Sequence, residues 1–318
     1  MQRGISSSFS PWRGLAGGGS DQGATAAFVA GQAILGTIGV FVQGAGTDAL
    51  TTTWFRCALG LLALSLWLGV RAQPAPWRLP AGTAPRVMLV GVLMVLCWVL
   101  FFYAMAFIPT GVAVVLFHIH PLWMLAVGVL FWGEKVGRAY GLALAATFVG
   151  LALATGAAGA LWGGGPPVSA ASAWGVAACL LGSVLMAAVT LLAQRLQAVP
   201  ACTLAWWQCA LGAAVLWLWP LSQGTQVVGA AWAWLAALGV VHTGVAYGLI
   251  FAGMARLRPG RIAVYQFIYP LVALVVDTLV LGARLGPAQW GGVGLMVLAM
   301  VWAERLGPRA AHGDRAAG

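Results

Sequence analysis

Ionisable side chains are scarce in this chain, and a handful stand deep inside long apolar runs, where a charge demands a partner or a cavity. Arg56 lies about eight residues in from the edge of its run, or roughly 12 Å at 1.5 Å per residue. A guanidinium at that depth would either attract a substrate carboxylate or hold helices together through backbone carbonyls or an acid, and both roles stay open. His118 and His120 precede Pro121, while Tyr265, Gln266 and Tyr269 cluster before and beside Pro270. Each proline removes one rung of the helical ladder, which frees the carbonyls of Phe117 and Gln266 to accept other bonds and marks a place for a ligand. Histidine titrates near neutral pH and so suits proton exchange, although a neutral ring satisfied by a carbonyl is the ordinary alternative. At 100° per residue two imidazoles two positions apart leave nearly opposite sides of a regular helix, so only one is expected on any one cavity. Tyr265 and Tyr269, at i and i+4, would share a face, either as an aromatic rim for a small ligand or as packing. Asp277 is the only carboxylate well inside the second half of the chain; it is either a coupling proton site or the partner of Arg284 or Arg56. The expected substrate-binding set is therefore Arg56, His118, His120, Tyr265, Gln266 and Tyr269, with helix breaks at Pro121 and Pro270 and with proton coupling at Asp277 or His120.

The same residues exclude most catalytic chemistries. Gly182-Ser183-Val184 is no nucleophile elbow, and His242 has no evident orienting acid. An aspartyl site would need a second membrane Asp beside Asp277. The His118-Ile119-His120 spacing does not place two rings on one metal, and Gly163 to Gly165 run into Pro166-Pro167 rather than a phosphate loop. An enzyme is not expected, nor any metal or cofactor. Cys57, Cys97, Cys179, Cys202 and Cys209 have no ligand-like spacing and read as small packing residues. Trp98, Tyr103, His242, Tyr247 and Gln208 likewise read as packing.

The elements that must position these groups follow from composition. Of 318 residues 62% are hydrophobic and only 7% charged, with a mean hydropathy of +0.94; a soluble domain carries roughly 25% charged residues. At about 20 apolar residues per crossing, the chain divides into ten candidate spans: 24–43, 48–70, 84–107, 110–132, 138–157, 170–194, 199–220, 230–254, 260–282 and 287–305. The expected fold is an all-α integral membrane protein of ten transmembrane helices. Polar stretches at 1–23 and 307–318 read as cytoplasmic tails, the first disordered, and 158–169 as a connecting loop.

Charge gives an independent check, because short cytoplasmic loops collect Lys and Arg. Ten spans place Arg3, Arg13, Arg71, Arg78, Arg86, Lys135, Arg138, Arg195, Arg256, Arg258, Arg261, Arg305, Arg309 and Arg315 on one side and Arg284 alone on the other. Both termini are then cytoplasmic, in a multi-pass protein of the cell (inner) membrane. The net charge of +10 needs no nucleic-acid partner, since the basic residues are scattered singly. The expected surroundings are a lipid bilayer and a small-molecule substrate. Ala146-x-x-x-Gly150 and Ala288-x-x-x-Gly292 permit close helix contact, within the fold or in a homodimer.

An internal repeat organises the spans. Met105-Ala106, Gly111, Val115, Ile119-x-Pro121-Leu122-x-x-Leu125, Leu130 and Gly133-Glu134-Lys135-Val136-Gly137 recur as Met254-Ala255, Gly260, Val264, Ile268-x-Pro270-Leu271-x-x-Leu274, Leu279 and Gly282-Ala283-Arg284-Leu285-Gly286. The displacement, from Pro121 to Pro270, is 149 residues. Two copies of five spans each would enter the membrane from opposite sides, as in the inverted repeats of secondary transporters with a site at the midplane.

Arg56, the run Tyr103 to Ala113, His120-Pro121-Leu122 and Leu130 to Gly137, followed by Ala246-Tyr247, Ala255 to Gly260, Tyr269-Pro270-Leu271 and Leu281 to Gly286, together resemble the EamA repeat of the drug/metabolite transporter superfamily. The resemblance spans about residues 24 to 306, with one repeat over 24–157 and another over 170–306. It implies a ten-helix exporter of small metabolites, commonly amino acids or related compounds, driven by an ion or substrate gradient. It also places an arginine at the Arg56 position in relatives with diverse substrates. Ala283 departs from the pattern, which usually repeats the acid seen at Glu134, so a symmetric pair of gating carboxylates is not expected. A channel is disfavoured because no repeated pore ring or continuous polar stripe is present.

Overall fold

A computed structural model describes residues 21–70, 77–108, 110–132, 137–157, 170–282 and 284–306. The expected tails at 1–20 and 307–318, the loop 158–169, and Glu134 with its counterpart Ala283 lie outside the described residues. Residues 21–23, expected in the first tail, instead open the first helix.

Backbone polar groups cannot be left open in hydrocarbon, so long uncharged runs close their own hydrogen bonds as helices. In chain order these are α1 (Asp21–Gly36), α2 (Ile38–Ala45), α3 (Ala49–Val70), α4 (Ala84–Met105), α5 (Thr110–Phe117), α6 (His120–Trp132), α7 (Arg138–Ala154) and α8 (Ala170–Gln194). The second half holds α9 (Ala201–Leu216), α10 (Leu218–Ser222), α11 (Ala231–Ala237), a π-helix at Leu238–Val245, α12 (Ala246–Met254), α13 (Pro259–Tyr265), α14 (Ile268–Leu279) and α15 (Pro287–Leu306). The described residues contain no strand. Among the described residues, eight helical stretches are long and apolar enough to cross a bilayer. Of the other two expected spans, α7 is apolar but has only 17 residues, and α15 has 20 residues with Arg305 in its last turn. Large apolar side chains such as Val70, Leu130, Phe131 and Leu298 point outward, as lipid-facing surface requires.

Several runs are interrupted, and two interruptions coincide with the repeat. α5 begins at Thr110 and α13 at Pro259, again 149 residues apart, and each gives way to a second helix after one short turn. Pro121 has no N–H for the Phe117 carbonyl and its ring crowds that turn, so the chain tightens at His118-Ile119 before α6 starts. Pro270 does the same at Gln266-Phe267.

Glycine seams join the two halves. A Cβ on Gly292 of α15 would stand 2.5 Å from Ala154 N and 2.7 Å from Gly150 O, and one on Gly150 would stand 2.8 Å from Gly292 O. Gly150 and Gly292, one glycine from each of the two small-residue spacings, are therefore taken up inside the fold by α7 against α15, while Ala288 stays exposed. A second seam sets Gly253 of α12 on Ala24 O of α1, where a Cβ would come within 2.6 Å.

Candidate functional site

The two breaks meet. The His118 ring stacks on Tyr269 with centroids 5.5 Å apart and planes 10° off parallel, and it lies 6.2 Å from Phe267. They border a central cavity of about 280 Å³. Arg56, His118, His120, Gln266 and Tyr269 all line it.

That both histidines face one cavity overturns the expectation from helical register. The 100° rule holds only within a continuous helix, and the turn at His118-Ile119 separates His118 from His120 on α6. Their rings end 5.6 Å apart. His118 Nδ1–H donates to Val114 O at 2.8 Å and His120 Nδ1–H to Phe117 O, also at 2.8 Å. The carbonyl freed by Pro121 thus orients His120. A carbonyl only accepts, so each ring carries its proton on Nδ1, and His120 Nε2 is an acceptor, buried without a partner. The Gln266 amide, equally without a partner at either atom, lies beside His120.

Arg56 is 6% exposed. Its guanidinium sits 5.6 Å from the centroid of the Trp98 ring, and its Nε–H donates to Thr243 Oγ1 at a long 3.4 Å. No acid or backbone carbonyl pairs with it among the described residues. The partner hydroxyl is held by the π-helix, where Thr243 Oγ1 donates to Leu238 O at 2.9 Å. The wider helical turn also carries His242, whose Nε2 hydrogen-bonds with Thr37 Oγ1 at 2.9 Å. Thr37 is the single residue that separates α1 from α2, so this bond ties two irregular points in opposite halves.

Two expected site residues fall elsewhere. Tyr265 ends α13 before the break, while Tyr269 is in α14, so the i, i+4 relation does not stack them on one face. The Tyr265 hydroxyl accepts from Arg261 Nη2 at 3.1 Å, next to ion pairs of Arg261 with Glu304 at 2.9 Å and Asp21 at 3.4 Å. Asp277 does not line the cavity either. It is half-buried near Gly39 of α2, and neither Arg284 nor Arg56 pairs with it.

The cavity also takes residues read from the sequence as packing, Trp98 and Tyr247, whose rings meet edge to face at 5.9 Å. Gln32, Thr52, Thr53 and Thr190 line it without having been singled out. A polar residue in an apolar span was the available signal for all four, but hydroxyls that bond back along their own helix give the same pattern. Thr53 and Thr190 do bond back, to Ala49 O at 2.7 Å and Met186 O at 2.9 Å. His242 is buried outside the cavity, and Tyr103 is 47% exposed. No three His, Cys, Asp or Glu among the described residues come together as metal ligands.

The model of the EamA-like transporter family matches residues 23–156 and again 173–304, which takes in every wall of this cavity. The chain belongs to the EamA-like transporter family. An uncharacterized transporter of Bacillus subtilis (strain 168), YxxF, is 24% identical over 272 residues, covering 83% of each chain. An uncharacterized transporter of Archaeoglobus fulgidus is 28% identical over 283 residues, covering 88% of this chain and 96% of its own. A solved crystal structure 18% identical in sequence superposes with a TM-score of 0.77 over 90% of this chain and 99% of that one, a likeness of fold. The EamA chain is thus a multi-pass membrane protein with uncharacterized transporters for relatives.

Proposed function

We propose that this EamA protein exports small metabolites by alternating access, with the cavity at the two broken helices as its substrate site. The observation that carries the reading is the meeting of His118 and Tyr269, residues from breaks 149 positions apart, at the wall of one central cavity. Broken helices present groups that a continuous helix would satisfy internally, and their place between two halves lets rocking of one half expose the site to either side. α7 and α15 serve as the fifth and tenth spans, completing two inverted five-helix repeats at 24–157 and 170–306. The basic loops and both termini face the cytoplasm of the cell membrane. Export is the direction that the family resemblance implies, and amino acids or amines are the compound classes to be weighed against the cavity's own chemistry. Proton exchange at His120, whose Nε2 has no partner, or at Asp277 drives the cycle.

Purified protein in proteoliposomes should show saturable uptake of one compound class from a labelled panel, enhanced by an imposed pH gradient. Alanine at His120, at Tyr269 and at Asp277 should each abolish that flux while the folded protein still inserts. Full activity in all three variants would sink the site assignment.

A further inference from the structure

The cavity is chemically lopsided. Among the described residues that line it, Arg56 is the one strongly basic group, and neither Asp nor Glu is present. The guanidinium is buried, has no acid partner among the described residues and leans on the face of Trp98. A buried cation without a counter-charge is costly, and the Trp98 face and the long bond from Thr243 compensate it only in part. An anion entering the cavity supplies what is missing. The rest of the wall is aromatic and aliphatic, with Trp98, Phe101, Phe102, Phe117, Tyr247 and Phe251 among its residues. Its remaining polar groups are uncharged donors and acceptors, above all the Gln266 amide and the His120 ring at the helix breaks.

Taken together, and resting on the transport reading above, these features narrow the substrate class. We infer that the substrate is a small organic monocarboxylate with an apolar, aromatic-compatible body and one uncharged hydrogen-bonding group, such as a 2-hydroxy acid, rather than an amine or a zwitterion. The carboxylate pairs with the Arg56 fork. The body fills the aromatic wall. The hydroxyl donates toward His120 Nε2, with Gln266 beside it. An amine would add a second cation next to Arg56 with no acid to receive it. An amino acid has the carboxylate, but its ammonium would stand one carbon away from the guanidinium, again unmatched. A phosphate ester brings two charges to a single cation.

The test uses the full-length protein and a matched series: 3-phenyllactate, its neutral amide, phenylalanine and phenethylamine. Equilibrium binding is measured in detergent by calorimetry, and flux in proteoliposomes. We expect 3-phenyllactate to bind at least tenfold more tightly than its amide or phenylalanine, phenethylamine not to bind, and Arg56→Met to lose the preference for the carboxylate. The wild-type comparison of acid with amide stands even if the Arg56 variant does not fold. Equal affinity for acid and amide, tighter binding of the amine or amino acid, or no binding of the acid to folded protein overturns the assignment. Flux of phenethylamine without flux of the acid overturns the substrate class and leaves the transporter reading standing. Saturable binding of the acid with no flux of any compound supports the class and refutes transport.

Discussion

Adding one methyl group at Gly292 tests whether the α7/α15 seam is a backbone-to-backbone contact. A Cβ there would lie 2.5 Å from Ala154 N, 2.7 Å from Gly150 O and 2.7 Å from Leu153 Cβ. Two of these neighbours are main chain and the third is anchored to it, so relief requires one helix to back away along the seam. Overpacking of this kind costs about 1–3 kcal/mol. Gly294, about 200° round the same helix, has nothing within 4 Å of its Cβ position, and replacing glycine by alanine inside a helix gains up to ~1 kcal/mol. That gain is common to both sites, so Gly292→Ala and Gly294→Ala should differ by the overpacking cost alone, about 1–3 kcal/mol, roughly 5- to 140-fold in the unfolding constant at 1.4 kcal/mol per decade. Equilibrium unfolding of the two variants in mixed micelles, followed by tryptophan fluorescence, measures that gap. Equal stability would refute the seam as described, because no accommodation short of helix separation removes a contact to Gly150 O and Ala154 N together.

Gln266→Leu should raise thermal stability, since it removes a buried amide with neither atom paired, worth about 1–3 kcal/mol, and should lower transport; reduced stability would show that the amide is satisfied. Thr37→Val leaves His242 Nε2 without its 2.9 Å partner and should destabilise by about 1–3 kcal/mol, with Thr25→Val on the exposed face of α1 as a neutral control in the same melt. Asp48, between α2 and α3, is pushed up by partial burial, but hydrogen bonds from Thr51, Trp219 and Leu50 outweigh this and hold its carboxyl below the ordinary carboxylate value. A depressed value in the folded state means that its contribution is complete above the unfolded value of ~3.9 and is lost as pH falls through the folded one. Asp48→Ala should lose about 1 kcal/mol of helix capping near neutral pH, and the deficit should vanish in melts at acid pH; a deficit constant with pH would remove the carboxylate from the account.

Much of this protein could be read from one dimension. Hydrophobic runs bounded by Gly, Pro and charge marked the helices within a few residues because the bilayer acts on each segment separately: length and apolarity are properties of a run, and a helix closes its own hydrogen bonds. The repeat was legible because Pro121 and Pro270 act locally on their own helices. What the tertiary structure decided is how the interrupted pieces face one another. Breaking α5 from α6 released His118 from the helical register and brought both histidines to the cavity, and breaking α13 from α14 separated Tyr265 from Tyr269. Arg56 finds Trp98 on α4 and Thr243 in the π-helix, partners 42 and 187 positions along the chain whose proximity no local pattern encodes. Asp277 stood out in the sequence by charge alone, yet its side of α14 faces α2 and not the cavity. Residue types and helical periods act over a few positions, whereas a binding site is assembled from helices whose relative placement is set by close packing, here at Gly150, Gly253 and Gly292.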